Sequence, residues 1–555
     1  MQVVKRDGSI EEFNVNKIIS AVEKAFKSCN KKMPQYLYDM LGALFGTLDG
    51  DTIGIEEIQN KVEDILMNDK HFDVAKSYII YREQHKQARF IRERIDYMNE
   101  YSQSNENAAT SSETDANANV TMKNVANLEG EVYKTTNRVI QRQRMKDKLN
   151  EMYPEVAKKY EEDLNSHIIY THDEATTPVL KQYCMAVSLY PLMMEGVGNI
   201  DGITPTPPND LQSFSGQVTN LIFLLSSQCK GAVAVGEYFI ALNYYIVQEF
   251  GPNWYEKLDA VTTTDHCSKQ RIVRDAIYKA FKQFIYGVNQ PAGNRSYQSP
   301  FTNVSYYDHT YFDSLFGEFY YPDGTKPEWA AINVLQKMFM KFFNKLRTKQ
   351  ILTFPVETLA MVHDGKDIID KEYKDFCAEM YAEGHSFFTY ISDSADSLAS
   401  CCRLRNELAE NTFNPTSGLT GVMTGSCNVI TLNINRIVQD CDKAYGLKRN
   451  GGWKENTSFL RDYLVDILQR VYKYHIAFKT MLYELEDKGM FAASNGGYIH
   501  ISKLYSTIGI NGLNEAARFL GMTVGNNKEY IEFLQLVLGT IKEQNKIYSI
   551  HDANR

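Results

Sequence analysis

Apolar positions along this chain repeat with two periods, and the places where the period changes mark out its organisation. Gln2, Val3 and Val4, then Glu12 and Phe13, flank an Asp7-Gly8 turn and predict a β-hairpin. Ile18, Ile19, Val22 and Phe26 then recur at helical spacing. Further helices are predicted over 55–67 and 74–92, the second with an exposed side rich in Lys and Arg. Residues 102–119 break the pattern: alanine is their main apolar residue, and Asn, Ser, Thr and Glu dominate. Such a stretch buries too little to offset its ordering entropy and reads as a linker. Beyond it, strands are predicted over 167–172, 352–356, 387–391, 429–434 and 498–501. Helices are predicted over 211–226, 233–250, 269–286, 329–346, 366–383 and 457–486. Strands separated by helices imply parallel pairing in an enclosed barrel or a doubly wound sheet. The expected division is a small α+β unit over 1–95, a polar linker over 96–119 and one large α/β domain over 120–555.

Composition narrows the function. The 555 residues are 43% hydrophobic and 23% charged, which gives ample material for a core of ordinary globular type. The formal net charge of -9 argues against a protein that grips nucleic acid over its whole surface. The start lacks the apolar stretch of a secretory signal, and the apolar runs near 221–225 and 238–247 are too short to span a bilayer. A cytoplasmic protein with no membrane partner is expected. Its nine cysteines are then reduced thiols, and with no CxxC pair the usual zinc and thioredoxin signatures are missing. No metal site is expected in the chain itself.

The segment Lys5-Arg6-Asp7-Gly8 can present cations and backbone N–H groups to phosphate oxygens, and Lys17, Tyr81 and Arg82 follow on helices. Alone, that segment also fits a solvated hairpin. Together, VVKRDGSIEEFNVNKIISAVEKAF and VAKSYIIYREQHK resemble the ATP-cone module over roughly residues 1–92. The resemblance implies that ATP or dATP binds as an allosteric effector and that Val3, Lys5, Arg6, Lys17, Tyr81 and Arg82 contact the nucleotide.

Among the cysteines, Cys401 and Cys402 stand out. They form a vicinal pair in a polar loop beside Arg403, and the neighbouring cation depresses a thiol pKa. The segments IIYTHDEATTPVLKQYCMA, QSPFTNVSYYD, LTFPVETLAM, SCCRLRNEL and NVITLNINRI, in that order, resemble class III (anaerobic) ribonucleotide reductases. The resemblance implies a ten-stranded α/β barrel threaded by a finger loop. Cys402 at the tip would become a thiyl radical that takes the C3′ hydrogen of a ribonucleoside triphosphate. Cys184 would donate a hydrogen atom from the other side of the sugar. Asn428 would mark the formate-using branch, with Asn433 and Asn435 leaving the register open. His172 matches a position near the active site, where a satisfied strand-end histidine is the competing reading. The N-termini after Thr416-Ser417-Gly418 are a chemical candidate for holding substrate phosphates. By resemblance, the partners are formate, a radical-SAM activating enzyme and a second copy in a homodimer, with a specificity-effector site around 211–250.

The pattern departs from the family at one end. The family's four zinc cysteines and its radical glycine motif do not occur before Arg555. A chain that ends there is expected to be silent as written, with glycyl radical and zinc belonging to a domain it lacks. A nucleotide-binding regulator and a glycyl-radical enzyme of the pyruvate formate-lyase type stand as alternatives.

Overall fold

The computed structural model describes residues 2–4, 10–46, 52–103, 125–197, 206–264, 267–292, 298–395, 397–400, 404–407, 423–449 and 452–552. The chain divides into two compact units, Met1–Asn105 and Glu106–Arg555.

In the first unit Gln2–Val4 pairs antiparallel with Ile10–Glu12, as the hairpin pattern predicts. A third strand, Thr52–Gly54, lies parallel on its other side. It is too short for periodicity to reveal. Helices Val15–Ser28, Gln35–Gly46, Ile55–Asn68 and Phe72–Gln103 pack around Val22, Phe26, Leu37, Ile58, Val62 and Val74. The first begins at Asn14, whose side chain accepts a hydrogen bond from the Asn16 N–H and satisfies one orphan donor. The last helix carries residues 96–103, which were expected in the linker; most of that linker lies outside the described residues.

The second unit is built on one curled eight-stranded sheet. Its order is Phe388–Ser392, Val356–Val362, Thr302–Tyr307, Val233–Ala234, Cys184–Ala186, Thr424–Asn433 and Leu504–Asn511, with Ile169–Thr171 also paired to Thr424–Asn433. Pairing is parallel except where Thr424–Asn433 meets Cys184–Ala186 and Ile169–Thr171. This is the α/β barrel class expected. Among the described residues, though, the sheet is a half-barrel of eight strands where a ten-stranded barrel was expected.

Helices cover the outer face. Leu211–Ser226 shows why they form: Asp210 and Ser213 make a reciprocal capping box. Leu211, Phe214, Val218, Leu221, Ile222 and Leu225 then give one apolar stripe. Phe214 stacks on Tyr245 with centroids 4.8 Å apart, and Tyr238 on Phe284 at 4.2 Å. Each such pair adds about 1 kcal/mol beyond area burial.

The helix expected over 269–286 begins at Val273, because Cys267–Ile272 is a strand paired with Val261–Thr264, and the one expected over 366–383 begins at Lys371 after its Asp370 cap. Three further elements differ for identifiable reasons. The strand expected over 352–356 begins at Val356, because Pro355 has no N–H to give a ladder. The strand expected over 498–501 lies at Leu504–Asn511, where Thr507 and Gly509 blur the apolar alternation. The helix expected from 233 starts at Tyr238, because Val233–Ala234 is a strand and Gly236 separates the two. Among the described residues no helix is long and apolar enough to cross a membrane.

Candidate functional site

The inner face of the curled sheet can be traced residue by residue. Cys184 lies opposite Ser426 in the antiparallel ladder, so their side chains share a face. Neighbouring Met185 belongs to the outer core, whereas Cys184 packs with Ala232, Tyr183 and Phe301 in a separate inner cluster. The Ala232 N–H donates to the Cys184 sulfur at 3.3 Å. Glycines at 231 and 425 leave room for this residue: a β-carbon at 231 would lie 2.5 Å from the sulfur, and one at 425 would collide with the Cys184 carbonyl.

Ser426 bonds to the Thr507 hydroxyl at 2.9 Å. Thr507, Gly509, Thr431, Asn433 and His172 line a cavity of about 1780 Å³ within this unit, which also reaches Tyr390 and Gln298. His172 Nε2 meets the Thr431 hydroxyl at 2.8 Å, and its backbone N–H donates to Val429. Its ring is held edge-on by Tyr170 and Tyr183, with centroids at 4.9 and 6.0 Å. Gly509 leaves space for the Thr431 side chain.

Asn428 does not join them. Thr424–Asn433 carries a bulge at Cys427, after which its pairing with Leu504–Asn511 is regular. Alternation then puts Val429, Thr431 and Asn433 on the cavity side, and Asn428, Ile430 and Leu432 on the helix side. Ile430 and Leu432 are in the outer core, and the Asn428 Oδ1 is buried with no hydrogen-bond partner. Asn428, expected to be catalytic as the mark of the formate-using branch, thus points to the helix layer, and Ser426 stands on the face shared with Cys184. Sequence reasoning missed Ser426 because a one-residue bulge leaves no compositional trace.

The cavity wall is charged. Arg142 donates to Glu174 at 2.9 Å, and the buried Tyr160 hydroxyl donates to the same carboxylate at 3.5 Å. Nearby, Arg470 clasps Asp163 with two nitrogens while the Tyr474 hydroxyl donates to it at 2.9 Å. Lys230 is buried beside Asp173 and Glu174, and burial lowers its ammonium to about 8. Cys401, Cys402, Arg403 and the 416–418 segment lie outside the described residues. No group of three or more His, Cys, Asp or Glu able to hold a metal ion occurs among the described residues.

In the first unit the expected nucleotide contacts are divided. Val3 is buried in the core, so only its backbone is available to a ligand. Lys17 is exposed and pairs with Glu11 at 3.2 Å. Tyr81 packs on the His85 ring, and Arg82 bonds Glu63 at 2.6 Å, Asn60 at 2.9 Å and also Glu56. Lys5 and Arg6 lie outside the described residues.

A curled α/β sheet that carries Cys184 on one face and a large cavity against His172 and Thr431, in a chain that also carries a small hairpin-and-helix unit, is the architecture of the ribonucleotide reductases. The chain belongs to the anaerobic ribonucleoside-triphosphate reductase family, whose sequence profile matches residues 124–554, and it carries an ATP cone domain over residues 1–87. It is similar to the anaerobic ribonucleotide reductase of Thermotoga maritima in complex with dATP and CTP. That likeness has a TM-score of 0.63 and 25% identity and covers 76% of this chain and 66% of that one. It is 42% identical over 105 residues to a vitamin B12-dependent ribonucleoside-diphosphate reductase of Thermoplasma acidophilum, covering 18% of this chain and 13% of the relative. It is 36% identical over 96 residues to an anaerobic ribonucleoside-triphosphate reductase of Haemophilus influenzae, covering 17% of this chain and 14% of the relative. The matches thus span only a small part of these curated relatives.

Proposed function

We propose that this protein reduces ribonucleoside triphosphates to deoxyribonucleoside triphosphates, with ATP and dATP acting at the cone. The observation that carries the reading is Cys184, presented with Ser426 on the inner face of the cavity-bearing sheet. The dATP and CTP bound by the Thermotoga relative support nucleotides as ligands. The family's glycyl radical, set by a radical-SAM activating enzyme, would supply the oxidising equivalent that makes Cys402 a thiyl. The chain's own residues then divide the work. Cys402 as a thiyl takes the C3′ hydrogen, and the 2′-hydroxyl leaves as water once protonated. Cys184 gives a hydrogen atom to C2′; formate then returns a hydrogen atom to the Cys184 sulfur and, leaving as carbon dioxide, passes an electron to the 3′-ketone, which takes up a proton, so that the C3′ hydrogen can return from Cys402. Overall, one formic acid is oxidised to carbon dioxide as one C–O bond becomes C–H, with one water released. His172, hydrogen-bonded to Thr431 at 2.8 Å, would hold or pass a proton at the sugar hydroxyls. Formate rests on the family resemblance alone, because Asn428 faces away from the cavity.

The test is anaerobic incubation of the chain with CTP, ATP, formate, activating enzyme and a separately supplied glycyl-radical domain of the family. Formation of dCTP, abolished by Cys402→Ser and by Cys184→Ser and absent without that domain, is expected. CTP binding without any dCTP would instead favour a nucleotide-binding regulator. A homodimer is part of the same proposal, and a monomeric mass in solution would remove it.

A further inference from the structure

We propose that one face of helix Val125–Met152 is the phosphate-binding wall of the cavity, with Arg138 as its central contact to the polyphosphate chain of a nucleoside triphosphate. This rests on the reading of the cavity as a nucleotide site. Gly130, Lys134, Arg138 and Arg142 all line the cavity. They follow one another at four-residue spacing, which keeps them on one helix face about 6 Å apart along the axis. That face therefore offers the cavity three cations and no carboxylate.

The three cations are not equivalent. The Lys134 ammonium is held by Glu131 at 2.6 Å, and Glu131 is itself largely covered. The Arg142 guanidinium is held by the buried Glu174 at 2.9 Å. Each is fixed in place and largely neutralised by its partner. Arg138 stands between them, exposed, and makes no ion pair among the described residues. An arginine with its fork unspent, flanked by two anchored cations, is suited to bidentate contact with a phosphate.

The other walls do not compete for that role. The sheet contributes Thr431, Asn433, Thr507 and Asn511, which are neutral hydrogen-bonding groups suited to a sugar or base. The remaining carboxylates of the lining are Asp173 and Glu515, which repel phosphate from their side. A nucleotide with its phosphates against the helix would have its sugar toward the floor formed by His172 and Thr431. Nothing in the sequence marked this face, because Lys and Arg at helical spacing ordinarily read as a solvated surface.

The test is calorimetric binding of CTP to the full chain, CTP being chosen so that the adenine-nucleotide cone does not report. Arg138→Glu is expected to weaken CTP at least tenfold and Arg138→Ala several-fold, with cytidine binding unchanged in both. Inorganic tripolyphosphate should displace CTP from the wild type and not affect what remains in Arg138→Glu. CTP binding by Arg138→Glu as tight as the wild type's would overturn the wall and leave the nucleotide reading standing. Equal losses for CTP and cytidine would also overturn it, by assigning Arg138 to the shape of the site. A wild type that binds no CTP would instead sink the nucleotide reading itself, and the wall with it.

Discussion

The sulfur of Cys184 occupies the space that a side chain at position 231 would need, since a β-carbon there would lie 2.5 Å from it. The glycine and the thiol are thus one unit, joined further by the Ala232 N–H that donates to the sulfur. Gly231→Ala is expected to push the thiol off its position, destabilise the protein by about 1–3 kcal/mol and reduce turnover more than tenfold. Urea denaturation and dCTP formation measure the two effects; wild-type values for both would break the link.

Ser426 and Asn428 lie on opposite faces of one strand on either side of its bulge. Ser426→Ala removes the bond to Thr507 and should lower turnover clearly while costing about 1 kcal/mol of stability. Asn428→Ala should leave turnover within about twofold and alter stability only, because its side chain faces the helix layer. A turnover defect confined to Asn428→Ala would restore that residue to the site.

The 2.8 Å contact between His172 and the Thr431 hydroxyl predicts that the hydroxyl orients the ring. Thr431→Val keeps the shape and loses the hydroxyl, so turnover should fall about tenfold. Thr431→Ser should recover most of the wild-type rate. Wild-type turnover in Thr431→Val would show that the contact does not position the histidine.

Acid sensitivity has its own source. His475 is buried on the long helix Thr457–Glu486, and burial lowers its pKa to about 3; burial likewise lowers His385 to about 4. A lowered histidine pKa gives stability that is fully present above the ordinary value near 6.5 and is lost as pH falls toward the folded value. The His475 contribution can reach about 5 kcal/mol across that window. Urea midpoints measured from pH 7.5 down to 4.5 should fall below about 6.5. His475→Phe should flatten much of the fall, and an equally steep fall in that variant would assign it elsewhere.

Arg82 is committed to carboxylates of its own unit, bonding Glu63 at 2.6 Å and also Glu56. Arg82→Ala should therefore lower the stability of the first unit more than its affinity for ATP. Proteolytic susceptibility of residues 1–105 and ATP titration compare the two directly. A large loss of ATP affinity in a unit of unchanged stability would return Arg82 to the nucleotide site.

Periodicity carried the helices: Leu211–Ser226 and Thr457–Glu486 have the bounds their patterns predict. It carried the parallel sheet less well, since strands as short as Val233–Ala234 and Thr52–Gly54 give no pattern to read. The candidate site was readable where chemistry is rare: Cys184 and His172, singled out from the sequence, lie on elements that both pair with Thr424–Asn433. It was unreadable where register or helix face alone sets an ordinary residue beside the cavity, as for Thr431 and Arg138, or beside Cys184, as for Ser426. The notable loop at Cys401 and Cys402 lies outside the described residues, so its part rests on the sequence resemblance.

The bulge at Cys427 has a consequence for how this site can change over evolutionary time. Upstream of it the even-numbered Ser426 faces inward, and downstream the odd-numbered Val429, Thr431 and Asn433 do. Ser426 pairs with Tyr505 and Asn428 with Ser506, so Cys427 is the one residue the ladder does not count. Losing it would close the bulge and leave Thr431 and Asn433 facing His172, whereas losing Asn428, Val429 or Ile430 would turn the strand beyond it over and set Leu432 against that histidine. The wall can thus absorb a lost codon at one position and not at its neighbours. Strand length between Asn428 and Asn433 is accordingly a stricter inheritance than the length across the bulge.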